Sequence, residues 1–226
     1  MADSALTRSD LAALIDHTQV KAFATQIDMA ELCDEAAEFG LAAVTINPAW
    51  TSYCAKRLEG TSVAINSTIG FPLGASTALI KVEETREAIA NGATELDMVI
   101  NIGALKSGFS DYVGREIDAI VKAAGDLPVK VILETCFLTD EEKRTVCQLS
   151  LDAGASFVKT STGFGSAGAT VEDVRLMREA VGNRMGVKAA GGIRRLSDAK
   201  DMLEAGASRI GTSATPQILA EIVDSP

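Results

Sequence analysis

Short apolar runs alternate along the chain with longer segments in which hydrophobic and charged residues follow a helical spacing. Eight runs stand out: Ala13–Ile15, Ala42–Ile46, Val63–Ile65, Glu95–Ile100, Val129–Leu133, Ser156–Lys159, Gly186–Ala190 and Ser208–Ile210. Between them, Ile27, Leu32 and Ala36–Ala37 mark one apolar stripe, with Asp28, Glu31, Asp34, Glu35 and Glu38 around it. Val82, Thr85 and Ile89 mark another, with Glu83, Glu84, Arg86 and Glu87 outside. Near-continuous apolar strands between amphipathic helices indicate a parallel sheet buried on both faces.

A weak internal repeat has the same period. Asn91-Gly92-Ala93-Thr94, Ala153-Gly154-Ala155-Ser156 and Ala205-Gly206-Ala207-Ser208 each close an amphipathic run and open an apolar one, and Glu38-Phe39-Gly40-Leu41 is a looser copy. Glycine just past a helix end takes the left-handed conformation at little steric cost. The intervals between these glycines each hold two strand–helix units of about 26–31 residues, so eight units fill the chain. The prediction is an α/β fold, a (β/α)8 TIM barrel forming one domain over residues 1–226. A doubly wound open sheet is the competing architecture. It usually carries a glycine-rich turn after its first strand, whereas Leu14-Ile15-Asp16 is followed by His17-Thr18-Gln19-Val20.

Composition narrows the function. The formal net charge of -10 argues against nonspecific binding to nucleic acid or to an anionic membrane surface, both of which need basic patches. No apolar run approaches the roughly 20 residues that span a bilayer. Residues 1–4 show no charged-then-apolar secretion pattern, and a cytoplasmic location is expected. Cys33, Cys54, Cys136 and Cys147 form no C-x-x-C pair, and His17 is the only histidine, so neither a zinc site nor a disulfide framework is expected. A solitary histidine reads more readily as a hydrogen-bonded structural residue than as a general base.

In such a barrel, chemistry gathers at the C-terminal ends of the strands. Those positions hold Asp16, Thr45, Asn47, Asp97, Asn101, Glu134, Lys159, Lys188 and the Gly211–Ser213 turn. Lysine is rarely buried without a partner. Lys159 ends the run Ser156–Lys159, Lys188 ends Met185-Gly186-Val187-Lys188 in the next, and side chains on neighbouring strands stand about 5 Å apart. Burial and a second ammonium group both disfavour the charged form. One lysine can therefore be neutral near pH 7 and attack a carbonyl. Alternatively, each lysine lays its stem along the barrel with its head in water. Asp97 can pair with a lysine or pass a proton through water, or it can serve as a structural ion pair. Gly191-Gly192 and Gly211-Thr212-Ser213 follow the seventh and eighth runs, where barrels of this class often bind phosphate; Ser213 is expected as a helix N-cap or phosphate donor.

At these residues the sequence resembles the deoxyribose-phosphate aldolases, class I enzymes. The resemblance covers essentially the whole chain. It rests on Leu14-Ile15-Asp16-His17-Thr18, Glu95-Leu96-Asp97-Met98-Val99-Ile100-Asn101, Val158-Lys159-Thr160-Ser161-Thr162-Gly163 and Val187-Lys188-Ala189-Ala190-Gly191-Gly192-Ile193, in the family's order. It implies reversible cleavage of 2-deoxy-D-ribose 5-phosphate to acetaldehyde and D-glyceraldehyde 3-phosphate, within deoxyribonucleotide catabolism and with no metal or organic cofactor. Lys159 then forms the imine, Lys188 lowers its pKa and joins the proton relay, and Asp97 is the relay acid/base. Asp16 and Thr18 match positions near substrate hydroxyls. Thr160, Gly163, Gly191, Gly192, Gly211 and Ser213 match substrate- and phosphate-binding positions. Small phosphorylated sugars and aldehydes are the implied partners, together with a second copy of the chain in a homodimer or higher homo-oligomer. Another Schiff-base phosphosugar aldolase, or a transaldolase-like barrel, is the alternative.

Three positions depart from some members of that family. Thr45 stands where some carry a cysteine that reacts with enals. Phe164 stands where some have a phosphate-binding lysine, which predicts greater reliance on backbone groups. The sequence ends Asp224-Ser225-Pro226, without the terminal tyrosine that aids proton transfer in some members.

Overall fold

Eight parallel strands close on themselves in chain order, the last pairing with the first. They are β1 (Ile15–Gln19), β2 (Ala43–Ile46), β3 (Ala64–Ile69), β4 (Glu95–Val99), β5 (Val129–Ile132), β6 (Phe157–Lys159), β7 (Gly186–Ala190) and β8 (Arg209–Thr212). The computed structural model describes residues 6–222, so the expectation attached to the last residues lies outside the described ones. The fold is a closed (β/α)8 barrel, as the alternating pattern predicts.

The outer layer is built from α1 (Arg8–Ala12), α2 (Gln26–Phe39), α3 (Thr51–Arg57), α4 (Ala78–Ala90), α5 (Ile102–Lys106), α6 (Ser110–Ala124), α7 (Asp140–Asp152), α8 (Val171–Val181), α9 (Leu196–Glu204) and α10 (Thr215–Ala220). Local chemistry sets their ends. At α2, Thr25 Oγ1 accepts from Asp28 N–H at 3.3 Å while the Asp28 carboxylate accepts from Thr25 N–H at 2.6 Å, a reciprocal cap repeated by Thr139 and Glu142 at α7. The repeated glycines end their helices with positive φ: 64° at Gly40, 97° at Gly92, 77° at Gly154 and 110° at Gly206.

Two details differ from the sequence pattern. The first strand begins at Ile15, because Ala13 still caps α1, and it runs on through polar residues to Gln19. Strand ends at a barrel mouth are polar, so apolar runs mark strand beginnings better than strand ends. Ile27 does not belong to the buried stripe of α2. It is 71% exposed, and Met29, Leu32, Cys33 and Ala36 face the barrel instead.

Leu96, Met98, Val131, Val158, Val187 and Ile210 point out from the strands into the layer beneath the helices, meeting Ile117, Val146, Val174 and Met177. Each such fully buried aliphatic side chain contributes about 1.5–3 kcal/mol. One ion pair interrupts this layer. Lys81 Nζ donates to Glu116 Oε1 at 2.7 Å and to the Val99 carbonyl at 2.8 Å, and Glu116 Oε2 accepts from Asn101 N–H at 2.9 Å. The pair ties α4 and α6 to the end of β4, which carries Asp97. Burial lowers the pKa of Lys81 and raises that of Glu116, while each partner's charge opposes the shift.

Candidate active site

Parallel pairing places inward side chains in rows around the barrel. Lys159 on β6 is in register with Lys188 on β7, and Lys188 with Arg209 on β8. Asp97 on β4 is in register with Lys130 on β5. Glu95 lies two residues before Asp97 and therefore points inward as well. The barrel interior thus holds four cations, Lys130, Lys159, Lys188 and Arg209, facing three carboxylates, Asp16, Glu95 and Asp97.

These groups are closely paired. Lys159 Nζ donates to Asp97 Oδ2 at 2.6 Å, and Lys188 Nζ donates to the same oxygen at 2.8 Å. Lys188 also reaches Asp16 Oδ2 at 2.5 Å. Lys130 donates to Glu95 Oε2 at 2.5 Å and to Asn66 Oδ1 at 3.1 Å, and it sits 3.3 Å from Asp97 Oδ1. Arg209 bonds Asp16 Oδ1 at 2.8 Å and Glu95 Oε1 at 3.4 Å. Lys159 is the least compensated cation, since its one carboxylate partner is shared with Lys188.

The titration shifts follow from this arrangement. Burial lowers the pKa of Lys159 most, the charge of Lys188 adds to the effect, and Asp97 opposes both; the result is about 8. The charge of Lys188 acts in the same direction as burial, and desolvation is the larger cause. Asp97 is held well below the usual carboxylate range: burial would raise it, but Lys159, Lys188 and Lys130 outweigh burial. Asp16 follows the same balance and lies at about 2, with Lys188, Lys130 and Arg209 overcoming its burial. Lys130 is raised, because Asp97, Asp16 and Glu95 overcome its desolvation.

Above this cluster, at the C-terminal ends of the strands, opens a cavity of about 370 Å³. Thr18, Lys159, Thr162, Gly163, Gly191, Gly192, Gly211 and Ser213 line it, so the Lys159 amine and these loop residues share one space. Asp97, Lys188 and Asp16 lie beneath it, fully buried. Thr160 is not among the lining residues: its hydroxyl donates to the Ala190 carbonyl at 3.0 Å and accepts from Ala190 N–H at 3.1 Å, stitching β6 to β7. A wider depression of about 970 Å³ on the outer face beside α4 is lined by Glu83, Glu84, Arg86 and Glu87 and does not include Lys159.

The loop glycines have separate roles. Gly211 lies inside β8 rather than in the turn after it. A Cβ there would come within 2.9 Å of Ala190 Cβ and 3.1 Å of Lys188 Cε, so its absence makes room for the lysine stem. At Gly191, with φ 90°, a Cβ would meet Gly168 Cα at 3.0 Å, where the loop after β6 crosses. Ser213 is not a helix N-cap. Ala214 occupies that position, and the Thr212 hydroxyl accepts from Ala214 N–H at 3.0 Å, which leaves Ser213 exposed at the cavity rim.

His17 is a structural tie, buried between Glu35 at 2.6 Å through Nε2 and the Thr215 hydroxyl at 2.9 Å through Nδ1. Three members of the cluster are not among the sequence candidates: Glu95, Lys130 and Arg209. Lys130 carries the signal that marked Lys159, a lysine within an apolar run, but it lies mid-strand rather than at a strand end.

Fold and site together define a (β/α)8-barrel enzyme with a buried lysine–carboxylate centre under its catalytic mouth. Comparison with known proteins gives a consistent result. The model of the DeoC/LacD family of aldolases matches residues 10–216. The deoxyribose-phosphate aldolase of Thermoanaerobacter sp. (strain X514) is 56% identical over 215 residues, covering 94% of this chain and 96% of its own. That of Streptococcus pneumoniae (strain CGSP14) is 56% identical over 211 residues, covering 93% and 96%. Among solved structures, the tetrameric deoxyribose phosphate aldolase of Aeropyrum pernix matches with a TM-score of 0.89 at 36% identity, covering 95% of this chain and 91% of that one. The chain belongs to the DeoC/LacD family of aldolases and is an enzyme of the lyase class.

Proposed function

We propose that the chain is one catalytic domain that reversibly cleaves 2-deoxy-D-ribose 5-phosphate to acetaldehyde and D-glyceraldehyde 3-phosphate through a Schiff base on Lys159. The observation that carries this reading is the Lys159 amine, buried at the floor of the mouth cavity with a pKa of about 8, on a carboxylate oxygen it shares with Lys188. The named relatives support the choice of substrate.

In the cleavage direction, neutral Lys159 attacks the aldehyde carbon of the open-chain sugar. The carbinolamine loses water and becomes a protonated imine. That cation draws in electrons as the C2–C3 bond breaks, while the relay takes the C3 hydroxyl proton and C3 becomes the aldehyde carbon of glyceraldehyde 3-phosphate. Glyceraldehyde 3-phosphate leaves, and the remaining enamine is protonated and hydrolysed to acetaldehyde. Asp97 is suited to the relay: one oxygen holds both lysines, while Oδ1 makes no hydrogen bond and lies 3.3 Å from the Lys130 ammonium. No cofactor enters these steps. Asp16, fully paired, acts by fixing Lys188, while Thr18 at the cavity wall is placed for a sugar hydroxyl. Backbone groups at Gly163, Gly191, Gly192 and Gly211, together with Ser213, take the phosphate and orient the sugar.

Among the described residues no helix is long and apolar enough to cross a membrane, and we assign a cytoplasmic location. A homo-oligomer fits the tetrameric relative from Aeropyrum pernix. A donor panel tests the reaction. Acetaldehyde should condense with D-glyceraldehyde 3-phosphate, and dihydroxyacetone should not. Preference for dihydroxyacetone would favour a different Schiff-base aldolase, and activity surviving in Lys159→Leu would refute the lysine assignment.

A further inference from the structure

Glu134 has a conformation and a set of bonds that the catalytic cluster does not explain. It follows β5 with φ 56° and ψ 64°, and among the described residues no other non-glycine has positive φ. An L-residue adopts this region only when its surroundings demand it. Here the demand comes from the end of the β5–β6 ladder. Leu133 N–H donates to the Lys159 carbonyl at 2.9 Å and Thr135 N–H to the Thr160 carbonyl at 3.0 Å. A regular parallel ladder advances two residues on both strands. This one advances two on one side and one on the other, so Glu134 is the extra residue of a bulge, and bulges re-aim side chains.

The side chain is aimed at the loop between β6 and α8. Both carboxylate oxygens accept from Thr162 N–H, at 3.2 and 3.3 Å, and Oε2 also accepts a short bond from the Thr162 hydroxyl. That hydroxyl in turn accepts from Phe164 N–H at 3.0 Å. Glu134 is 2% exposed. Gly165 leaves space for it: a Cβ there would lie 2.7 Å from Cys136 Sγ and 3.1 Å from Glu134 Oε1. Phe164 then packs edge-on against Phe71, with ring centres 5.5 Å apart. The bonded segment, Thr162 to Phe164, is the cavity wall next to Lys159.

We propose that Glu134 is a positioning residue whose buried carboxylate clamps Thr162–Phe164 over Lys159, setting the wall of the cavity that receives the substrate's phosphate. The inference rests on the phosphosugar reading above. An ionised carboxylate suits the clamp, because both Thr162 groups donate to it. Burial raises its pKa above the ordinary carboxylate value, and the Thr162 bonds offset that shift only in part.

The test separates the side chain from the backbone. Glu134→Gly keeps the left-handed conformation available and removes the clamp. Glu134→Gln retains an acceptor for Thr162 N–H. Thr162→Val removes only the hydroxyl link, and it supplies the same reading should the glycine variant fail to fold. Expected for Glu134→Gly is a fall of about tenfold or more in kcat/KM with 2-deoxyribose 5-phosphate, mainly through KM. With unphosphorylated 2-deoxyribose, kcat/KM should stay within about twofold, and borohydride trapping of acetaldehyde on Lys159 should persist. Glu134→Gln should recover part of the loss. Equal losses on both sugars, or no loss in either Glu134→Gly or Thr162→Val, would overturn the clamp while leaving the aldolase reading intact. A wild-type enzyme that does not cleave 2-deoxyribose 5-phosphate would overturn both.

Discussion

Lys159 and Lys188, in register on adjacent strands, donate to the same oxygen of Asp97, at 2.6 and 2.8 Å. Their nitrogens can be no further apart than those two bonds allow, and the carboxylate between them makes the arrangement tolerable. It also fixes which amine yields its proton. Lys188 has Asp16 as a second anion, whereas Lys159 has only its share of Asp97 and opens into the cavity.

Replacing Lys188 should separate imine formation from turnover. In Lys188→Met, Lys159 loses a neighbouring positive charge and Asp97 loses a proton-exchange partner. Turnover should fall by about 10²–10⁴-fold, while borohydride still traps acetaldehyde on Lys159 at elevated pH. Steady-state kinetics alongside trapped-adduct mass spectrometry measures both; unchanged kcat would remove Lys188 from the relay.

The pH dependence has a definite sign. The nucleophile is the neutral amine, and Lys159 titrates at about 8. Imine trapping at a fixed aldehyde concentration should rise about tenfold per pH unit below that value and level off above it. A rate that continued to climb toward the ordinary lysine range would indicate an amine without this environment.

Lys130 should matter without touching substrate. The cluster carries one more cation than anion, and Lys130→Met would balance it, so the trapping profile should move to higher pH. Removing one member of a buried ionic network also costs about 3–5 kcal/mol, readable by denaturant titration. A variant with unchanged profile and stability would show that Lys130 is not coupled to Lys159.

Asp16 links the site to acid stability. Its pKa is depressed from 3.8 to about 2 in the folded protein. The stability gained is fully present above the unfolded value and is lost as pH falls through about 2. Asp16→Asn should therefore lower stability at neutral pH and flatten its decline across that acid window. Denaturant midpoints measured at several pH values test this, and a decline as steep as in the wild type would contradict it.

Thr45 carries a prediction about reactive aldehydes. It is fully buried on β2, where its hydroxyl accepts from Asn66 at 2.8 Å. A hydroxyl there cannot add to an enal as a thiol would, so activity should persist in crotonaldehyde. Irreversible loss with modification mapped to this pocket would contradict the expectation.

The barrel was legible because strand and helix segments differ in period, and because the glycine-ended repeats recur at two-unit intervals. Lys159, Lys188 and Asp97 stood out for one physical reason: a charge within an apolar run needs a partner indoors. Lys130 follows the same rule, with Glu95, Asn66 and Asp97 around its amine, but it lies near the start of β5 rather than at a strand end. The bulge at Glu134 has no local signature, because its left-handed backbone is imposed by pairing with β6 rather than by its own residue type. The N-cap expectation at Ser213 failed because the chain turns one residue later, with the Thr212 hydroxyl reaching Ala214.

The most direct test is to incubate the protein with acetaldehyde and borohydride, digest it, and locate the adduct by mass spectrometry. The account predicts a two-carbon adduct on Lys159 alone. An adduct on Lys188 or Lys130, or no adduct at any pH, would contradict it.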